Sequence, residues 1–197
     1  MRWRTLLTIA LLAQLLQFSE AQTKSVHTGV VELPRGPVTR IPSPNRHWTL
    51  ISECPDYSKE RKLWIIDNGS HPRKLVREYE RGLAIAWAPD SERFFVNDDY
   101  GSNGSDSYVV DPTSLKTTDL GTVIVDNDAK AAQFLKAGHS YLRANRWLNS
   151  HELVVVLFGH FDEAPPRGIP RSFTIKYQVD LNGSTRKISQ RPIEQPQ

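Results

Sequence analysis

The sequence has a single cysteine, Cys54, among its 197 residues. One thiol cannot form an internal disulfide, and it cannot supply the several cysteines of a structural zinc site. A chain of this length buries enough apolar surface to fold without disulfides. Because Cys54 follows the apolar residues 48–51, we expect it to be a core residue at the end of a strand. An intermolecular disulfide and a reactive thiol are the alternatives.

Blocks of charge of one sign are also absent. The chain has 25 Lys and Arg residues and 22 Asp and Glu residues, a formal net charge of +3, and the two signs are interspersed. A nucleic-acid-binding protein needs basic residues clustered on one face. We therefore predict no nucleic-acid partner.

Only one long apolar run occurs, at residues 5–18, and its 14 residues are fewer than the roughly 20 that span a bilayer as a helix. The run follows Arg2 and Arg4 and precedes the short segment Ser19-Glu20-Ala21. This is the three-part pattern of a cleaved secretory signal. We predict a signal peptide over residues 1–21 and an exported, periplasmic or secreted, mature protein with no stable membrane insertion. An uncleaved membrane anchor is the alternative.

The rest of the chain has the pattern of short strands. Its 11 glycines and 13 prolines separate runs that are rich in β-branched and aromatic residues, which predicts an all-β fold of antiparallel meanders. Residues 122–125 are predicted as one of the strands. Residues 129–137 are predicted as the one short helix, with Asp128 at its start and Gly138 at its end.

The predicted strands recur in the same order three times, over residues 43–78, 88–120 and 148–189. Each copy has a tight turn, an apolar strand, a variable loop, a strand ending in aspartate, and an outer strand with basic residues. The nearly continuous apolar runs are typical of strands covered on both faces. We predict a single β-repeat domain over residues 22–190 and a flexible tail at 191–197.

Two segments at the first junction resemble a known repeat. Residues 63–75 (LWIIDNGSHPRKL) and 86–96 (AWAPDSERFFV) resemble the TolB-type, WD40-like β-propeller repeat. Ala88 and Ser91 stand where that repeat has Ser and Gly, and the third copy lacks the Pro and Asp of this turn. The resemblance implies sheets like propeller blades and a place in the cell envelope, towards a periplasm.

Three copies are fewer than the roughly 4–8 blades of a closed propeller. We therefore expect a partial or open propeller. A homodimer that completes or caps the repeat stack is one alternative, and a rearrangement into a sandwich-like or single-sheet domain is another.

Six histidines are the first candidates for metal ligands or catalytic bases. His139, His151 and His160 fall within 22 residues, and Asp162 and Glu163 follow closely. No zinc motif fits their spacing, although His151 in a turn and His160 at a strand end could meet at one rim. The interpretation we adopt is scattered loop histidines.

Residues 97–106 form the densest acidic and glycine-rich segment. Asp99, Asn103 and Asp106 have oxygen ligands suited to calcium, but the residue order does not fit an EF-hand loop. We predict a solvated hairpin loop between two strands of the second copy.

The sequence has none of the catalytic motifs considered, including the G-x-S-x-G elbow that carries the nucleophilic serine of many hydrolases. The sequence therefore assigns no catalytic, cofactor-binding or metal residue and no cofactor. We expect a binding protein of the cell envelope whose partner is another protein, contacted through residues 55–61, 98–106 and 162–171. The alternatives are an envelope hydrolase or lyase that uses rim carboxylates or histidines, and a degenerate propeller relative without activity.

Overall fold

The computed structural model of the protein describes residues 29–55, 61–70 and 72–192. The predicted signal peptide and most of the predicted binding loop at 55–61 lie outside these ranges. The described elements are β1 (Val31–Leu33), β2 (Val38–Pro42), β3 (Trp48–Glu53), β4 (Arg61–Asp67), β5 (Lys74–Tyr79), β6 (Gly82–Trp87), β7 (Phe94–Asp99), β8 (Gly104–Val110), β9 (Thr117–Asp119), α1 (Leu120–Asn127), α2 (Ala131–Leu135), β10 (His139–Trp147), β11 (Glu152–His160), β12 (Ser172–Asp180) and β13 (Ser184–Pro192).

The strands form three successive antiparallel meanders of four strands. The first meander is β2-β3-β4-β5, the second is β6-β7-β8-β9, and the third is β10-β11-β12-β13. Strand β1 pairs with β6, and β10 pairs in parallel with the start of β8, so the second and third meanders share one sheet. The strand order of the described residues closes no ring. The predicted all-β, open architecture of antiparallel meanders is confirmed.

Each meander begins one strand before the corresponding predicted copy, because β2, β6 and β10 precede residues 43, 88 and 148. Strand β2 was missed because its residues VTRIP alternate poorly, with Pro42 at the end and mostly exposed side chains. Strand β10 was missed because its register shifts between Ala144 and Arg146, and such a bulge interrupts the alternation of inward and outward side chains. At the other end, β13 continues through Pro192, two residues into the segment assigned to the tail.

The strand predicted at residues 122–125 is wrong, because these residues lie in α1. The Asp119 carboxylate accepts a hydrogen bond from the Thr122 backbone N–H at 2.6 Å, which caps the helix. Leu120 and Ile124, four residues apart, are both fully buried. The predicted helix at 129–137 is the shorter α2, which begins after Lys130 without a side-chain cap. No helix in the described ranges is long and apolar enough to cross a membrane.

The second meander has a hydrophobic core on each of its faces. Leu83, Ile85 and Trp87 pack against the first meander. Ala86 and Phe95 pack, on the opposite face, against the helices and the third meander. Alternate residues of a strand point to opposite faces, so the continuous apolar runs of β6 and β7 supply both cores.

Two tryptophans repeat the same link between neighbouring meanders. The Trp87 indole N–H, at the end of β6, donates to the Ile41 carbonyl in β2 at 3.2 Å. The Trp147 indole N–H, at the end of β10, donates to the Ala86 carbonyl in β6 at 3.1 Å. Each first strand is thus tied to the first strand of the preceding meander.

Cys54 directly follows β3, and only 1% of it is exposed. Its backbone N–H donates to the Pro37 carbonyl at 2.8 Å, and its thiol is free. The predicted core position at a strand end is confirmed.

Candidate functional site

Two histidines lie opposite each other where β10 begins and β11 ends. The antiparallel register pairs His139 with His160, and directly opposed residues share one face of a sheet. Their rings stack with centroids 4.3 Å apart and planes inclined by 13°. The pair is therefore fixed by strand pairing.

Asp162 completes what we term the histidine–aspartate cluster, made of His139, His160 and Asp162. Its Oδ1 lies 2.9 Å from His139 Nδ1 and 3.4 Å from His160 Nε2. One possible ligand atom from each residue lies within 4.8 Å of the others. The side chains are 34%, 46% and 54% exposed in the order His139, His160, Asp162, so the cluster is open to solvent.

The surrounding backbone leaves room for this cluster and holds it. A Cβ at Gly138 would collide with the Asp162 carboxylate. Gly159 has φ +156°, and a Cβ there would collide with the His139 carbonyl oxygen. The Arg171 guanidinium donates to the carbonyls of Asp162 at 3.0 Å and Phe161 at 3.3 Å, which fixes the chain after β11.

His151 does not join the cluster. It precedes β11, whereas His160 ends that nine-residue strand, so about 30 Å of extended chain separates them. The proposed meeting of His151 and His160 at one rim is therefore wrong. Glu163 is exposed beside Asp162. The interpretation as scattered loop histidines is also wrong for His139 and His160, which lie in strands and stack on each other. The sequence missed His139 as the partner of His160 because strand β10 was not recognised.

The same strands carry a partly apolar surface that continues from the cluster. Tyr141 and Phe158 are cross-strand partners, and their rings stack with centroids 5.1 Å apart. Leu142 and Leu157, which alternate with them, are buried towards the helices. The outer face of the third meander, as defined by strand register, contains Tyr141, Arg143, Arg146, Val154, Val156, Phe158, Thr174, Lys176, Gln178, Arg186 and Arg191, with the acidic residues Glu152 and Asp180 at the end far from the histidines.

Basic side chains lie on the same outer face as its apolar part. Arg146, Lys176, Arg186 and Arg191 are exposed. Arg143 is shared with acidic groups of the second meander and of β1, at 3.3 Å from Asp99 and 3.6 Å from Glu32. The outer face therefore presents positive charge beside stacked aromatic rings.

The acidic segment at 97–106 belongs to a hairpin of β7 and β8, as predicted, but the prediction of a solvated loop over all of it is wrong. Residues 97–99 and 104–106 lie in the two strands, and only residues 100–103 connect them. Asp98 is 4% exposed, and its carboxylate lies 2.6 Å from the Arg77 guanidinium of β5. Burial raises the pKa of Asp98, although Arg77 acts in the opposite direction. Arg77 also lies over the Tyr108 ring at 4.5 Å, and burial raises the pKa of Tyr108 to about 12. This arrangement joins the first and second meanders.

The residues considered for calcium have separate surroundings. Asp99 pairs with Arg143, and Asn103 lies exposed in the turn. Asp106 lies opposite Asp98 in the strand register, and burial raises its pKa.

No family model matches the chain, and no curated protein matches it in sequence. Among solved structures, it is similar to the β-propeller domain of the Trilobed protease from Pyrococcus furiosus, with a TM-score of 0.48 and 16% identity over 78% of this chain and 43% of that one. TolB from Acinetobacter baumannii gives a TM-score of 0.43 and 12% identity over 81% of this chain and 32% of that one.

A putative TolB from Agrobacterium tumefaciens gives a TM-score of 0.34 and 13% identity, over 79% of this chain and 66% of that one. This chain thus spans less than half the length of the first two proteins. The chain has the four-stranded antiparallel meanders that the resemblance to the TolB-type repeat implied.

Proposed function

We propose that the protein is an exported binding protein of the cell envelope that holds a second protein against the outer face of the third meander. The observation that carries this proposal is the composition of that face. Tyr141 and Phe158 stack on it, in the row next to His139 and His160, and exposed Arg and Lys side chains lie on the same face. The occupant is a protein with carboxylates around an apolar patch.

Physical chemistry favours such a surface for recognition. Aromatic and arginine side chains contribute much of the binding energy in protein interfaces, because they bury large areas and form several hydrogen bonds. A basic rim also accelerates encounter with an acidic partner and selects against basic ones. Arginine binds carboxylates through two parallel hydrogen bonds, which suits an acidic protein partner.

The position of the outer face in the fold supports the same proposal. Each face of the second meander is covered by a neighbouring layer, whereas the side chains on the outer face of β12 are half-buried or exposed. A partner seated there would occupy the place that a further meander has in a longer stack. Export is supported by the signal pattern of residues 1–21.

The docking surface can be tested by capture from the envelope fraction of the source organism. We expect the unaltered chain to retain a partner protein. Once this partner is identified and purified, its affinity for the chain is measured by titration. Phe158→Ser should weaken that purified complex at least about tenfold, and added salt should weaken it further. The matched control is Leu75→Ser, which changes a 40% exposed apolar residue on β5 of the first meander and should leave binding unchanged.

Two results would contradict the proposal. One is a partner whose affinity is the same for Phe158→Ser and the unaltered chain. The other is a dimer in light scattering that Phe158→Ser dissociates, because the occupant would then be a second copy of this chain. Export is checked separately by the mass of the exported protein, which should begin at Gln22.

A further inference from the structure

We infer that His139, His160 and Asp162 bind one divalent transition-metal ion of the zinc class. Two imidazoles and one carboxylate are a frequent ligand set for such ions. The inference concerns an ion site and does not depend on the proposed protein partner.

The distances fit an ion placed among the three side chains. Zinc lies about 2.0–2.2 Å from imidazole nitrogen and carboxylate oxygen, so two ligand atoms in a tetrahedral site are about 3.4 Å apart. Asp162 Oδ1 is 2.9 Å from His139 Nδ1 and 3.4 Å from His160 Nε2, and no pair among the three ligand atoms exceeds 4.8 Å. The two rings, which are stacked and nearly parallel, must also turn so that both nitrogens face one ion, and the partial exposure of the side chains leaves room for this turn.

The scaffold holds the ligands close to this arrangement before an ion binds. His139 and His160 are fixed by the register of β10 and β11. The chain that carries Asp162 is fixed by Arg171 and by Phe161, whose ring packs on Phe173 with centroids 5.8 Å apart. Such support of the ligands from outside the site raises metal affinity, because the ligands lose little conformational entropy when the ion binds.

The donor atoms decide which class of ion binds. Calcium and magnesium prefer oxygen ligands, whereas two imidazole nitrogens favour zinc, copper, nickel or iron. Three protein ligands leave the fourth position of a tetrahedral ion open. Since all three side chains are partly exposed, that position is accessible to water or to a side chain of another molecule.

Calorimetric titration of the purified, tag-free chain with zinc chloride tests the inference. We expect one ion per chain, no displacement by millimolar calcium or magnesium, and a loss of affinity of at least about tenfold for His160→Gln and for Asp162→Asn. His47→Gln is the matched control. His47 Nε2 lies 3.8 Å from Asp67 Oδ1 on the first meander, a histidine–carboxylate pair outside the three-ligand cluster, and its loss should leave zinc affinity unchanged.

Cobalt provides a second readout that reports on the ligands themselves. Bound Co²⁺ should give the visible absorption of a four-coordinate site with nitrogen and oxygen ligands, and His139→Gln should abolish it. Zinc should also raise the melting temperature of the unaltered chain, which keeps the test informative if a variant folds poorly. Equal zinc affinity of the unaltered chain and His160→Gln, or no binding of one ion per chain, would overturn the inference.

Discussion

Asn97 is a buried side-chain amide that joins the second and third meanders. Only 1% of it is exposed. Its Nδ2 donates to the Ala144 carbonyl at 2.8 Å, and its Oδ1 accepts from the Ala144 backbone N–H at 2.7 Å and from the Ser107 hydroxyl at 2.7 Å. Ala144 stands at the register shift of β10, where its backbone groups find these partners. The sequence had placed Asn97 at the start of an acidic loop.

Replacing Asn97 with alanine should therefore destabilise the protein strongly. Asn97→Ala removes the partner of the Ala144 carbonyl and leaves its N–H with only the Ser107 hydroxyl at 3.2 Å. A buried polar group without a partner costs about 1–3 kcal/mol, so we expect the free energy of unfolding in urea to fall by about 2 kcal/mol. Asn103→Ala, in the exposed turn of the same hairpin, should change it by less than about 0.5 kcal/mol. Similar losses in the two variants would contradict this role.

The Asp128 carboxylate connects the end of α1 to the third meander. Its Oδ2 lies 2.9 Å from Lys187 Nζ and accepts from the Tyr177 hydroxyl at 3.1 Å. Burial is the largest single influence and acts to raise the pKa of Asp128. The hydrogen bonds and the charge of Lys187 together outweigh it, so the net pKa is lowered. A lowered pKa means that the folded state releases this proton more readily than the unfolded state.

The contribution of Asp128 should accordingly be present above its ordinary pKa of about 4 and be lost as the pH falls through the lower folded pKa. Lys187→Gln should reduce the free energy of unfolding at pH 7 by about 0.5–1 kcal/mol. The difference between this variant and the unaltered chain should vanish in acid. Urea unfolding from pH 2.5 to 7 measures it, with Lys176→Gln on the outer face as the control. A difference that persists at the lowest pH would show that lost packing, not charge, is the cause.

Sequence patterns were enough to predict the tight turns but not the pairing of distant strands. The turns before β3 and β7 place Arg46 and Ser91 at positive φ, 60° and 69°, and Ser91 stands where the TolB-type repeat has glycine. A tight turn depends on the few residues that form it, so it can be predicted from one sequence. The pair of His139 with His160 was not, because it depends on the register of two strands, whereas Asp162 follows His160 by two residues and was noted.

Helix α1 is the clearest case in which local propensity misled the prediction. Its β-branched residues 122–125 favour a strand, but a helix allows Leu120 and Ile124 to reach the core together. Asp119 supplies the cap that a strand would not need. Burial and capping together outweigh the propensity of these four residues.

Asp119→Ala should test the cap. Removing an N-cap carboxylate costs about 1 kcal/mol, and we expect this loss in the free energy of unfolding measured in urea. Asp126→Ala, at an exposed position near the other end of α1, has the same change in charge and should have a much smaller effect. If both variants lose the same stability, general electrostatics explains the result better than capping.

The three meanders are bound to each other through the second one. It contributes to two separate cores. The Trp87 hydrogen bond joins it to the first meander, and the Trp147 hydrogen bond joins the third meander to it. The repeat predicted three similar units but not the parallel pairing of β10 with β8. That pairing involves only two residue pairs, which leave no periodic signal in the sequence.

Because each outer meander shares its core with the second one, we expect the described fold to unfold in a single transition. Leu83→Ala on one face and Phe95→Ala on the other each remove a fully buried side chain and should cost about 3–4 kcal/mol. For each of the three proteins, tryptophan fluorescence and far-ultraviolet circular dichroism should give one and the same midpoint in urea. That shared midpoint should be lower in both variants than in the unaltered chain. If Leu83→Ala unfolded one part of the molecule early and left a second transition unchanged, the meanders would be independent units, and the central role of the second meander would be wrong.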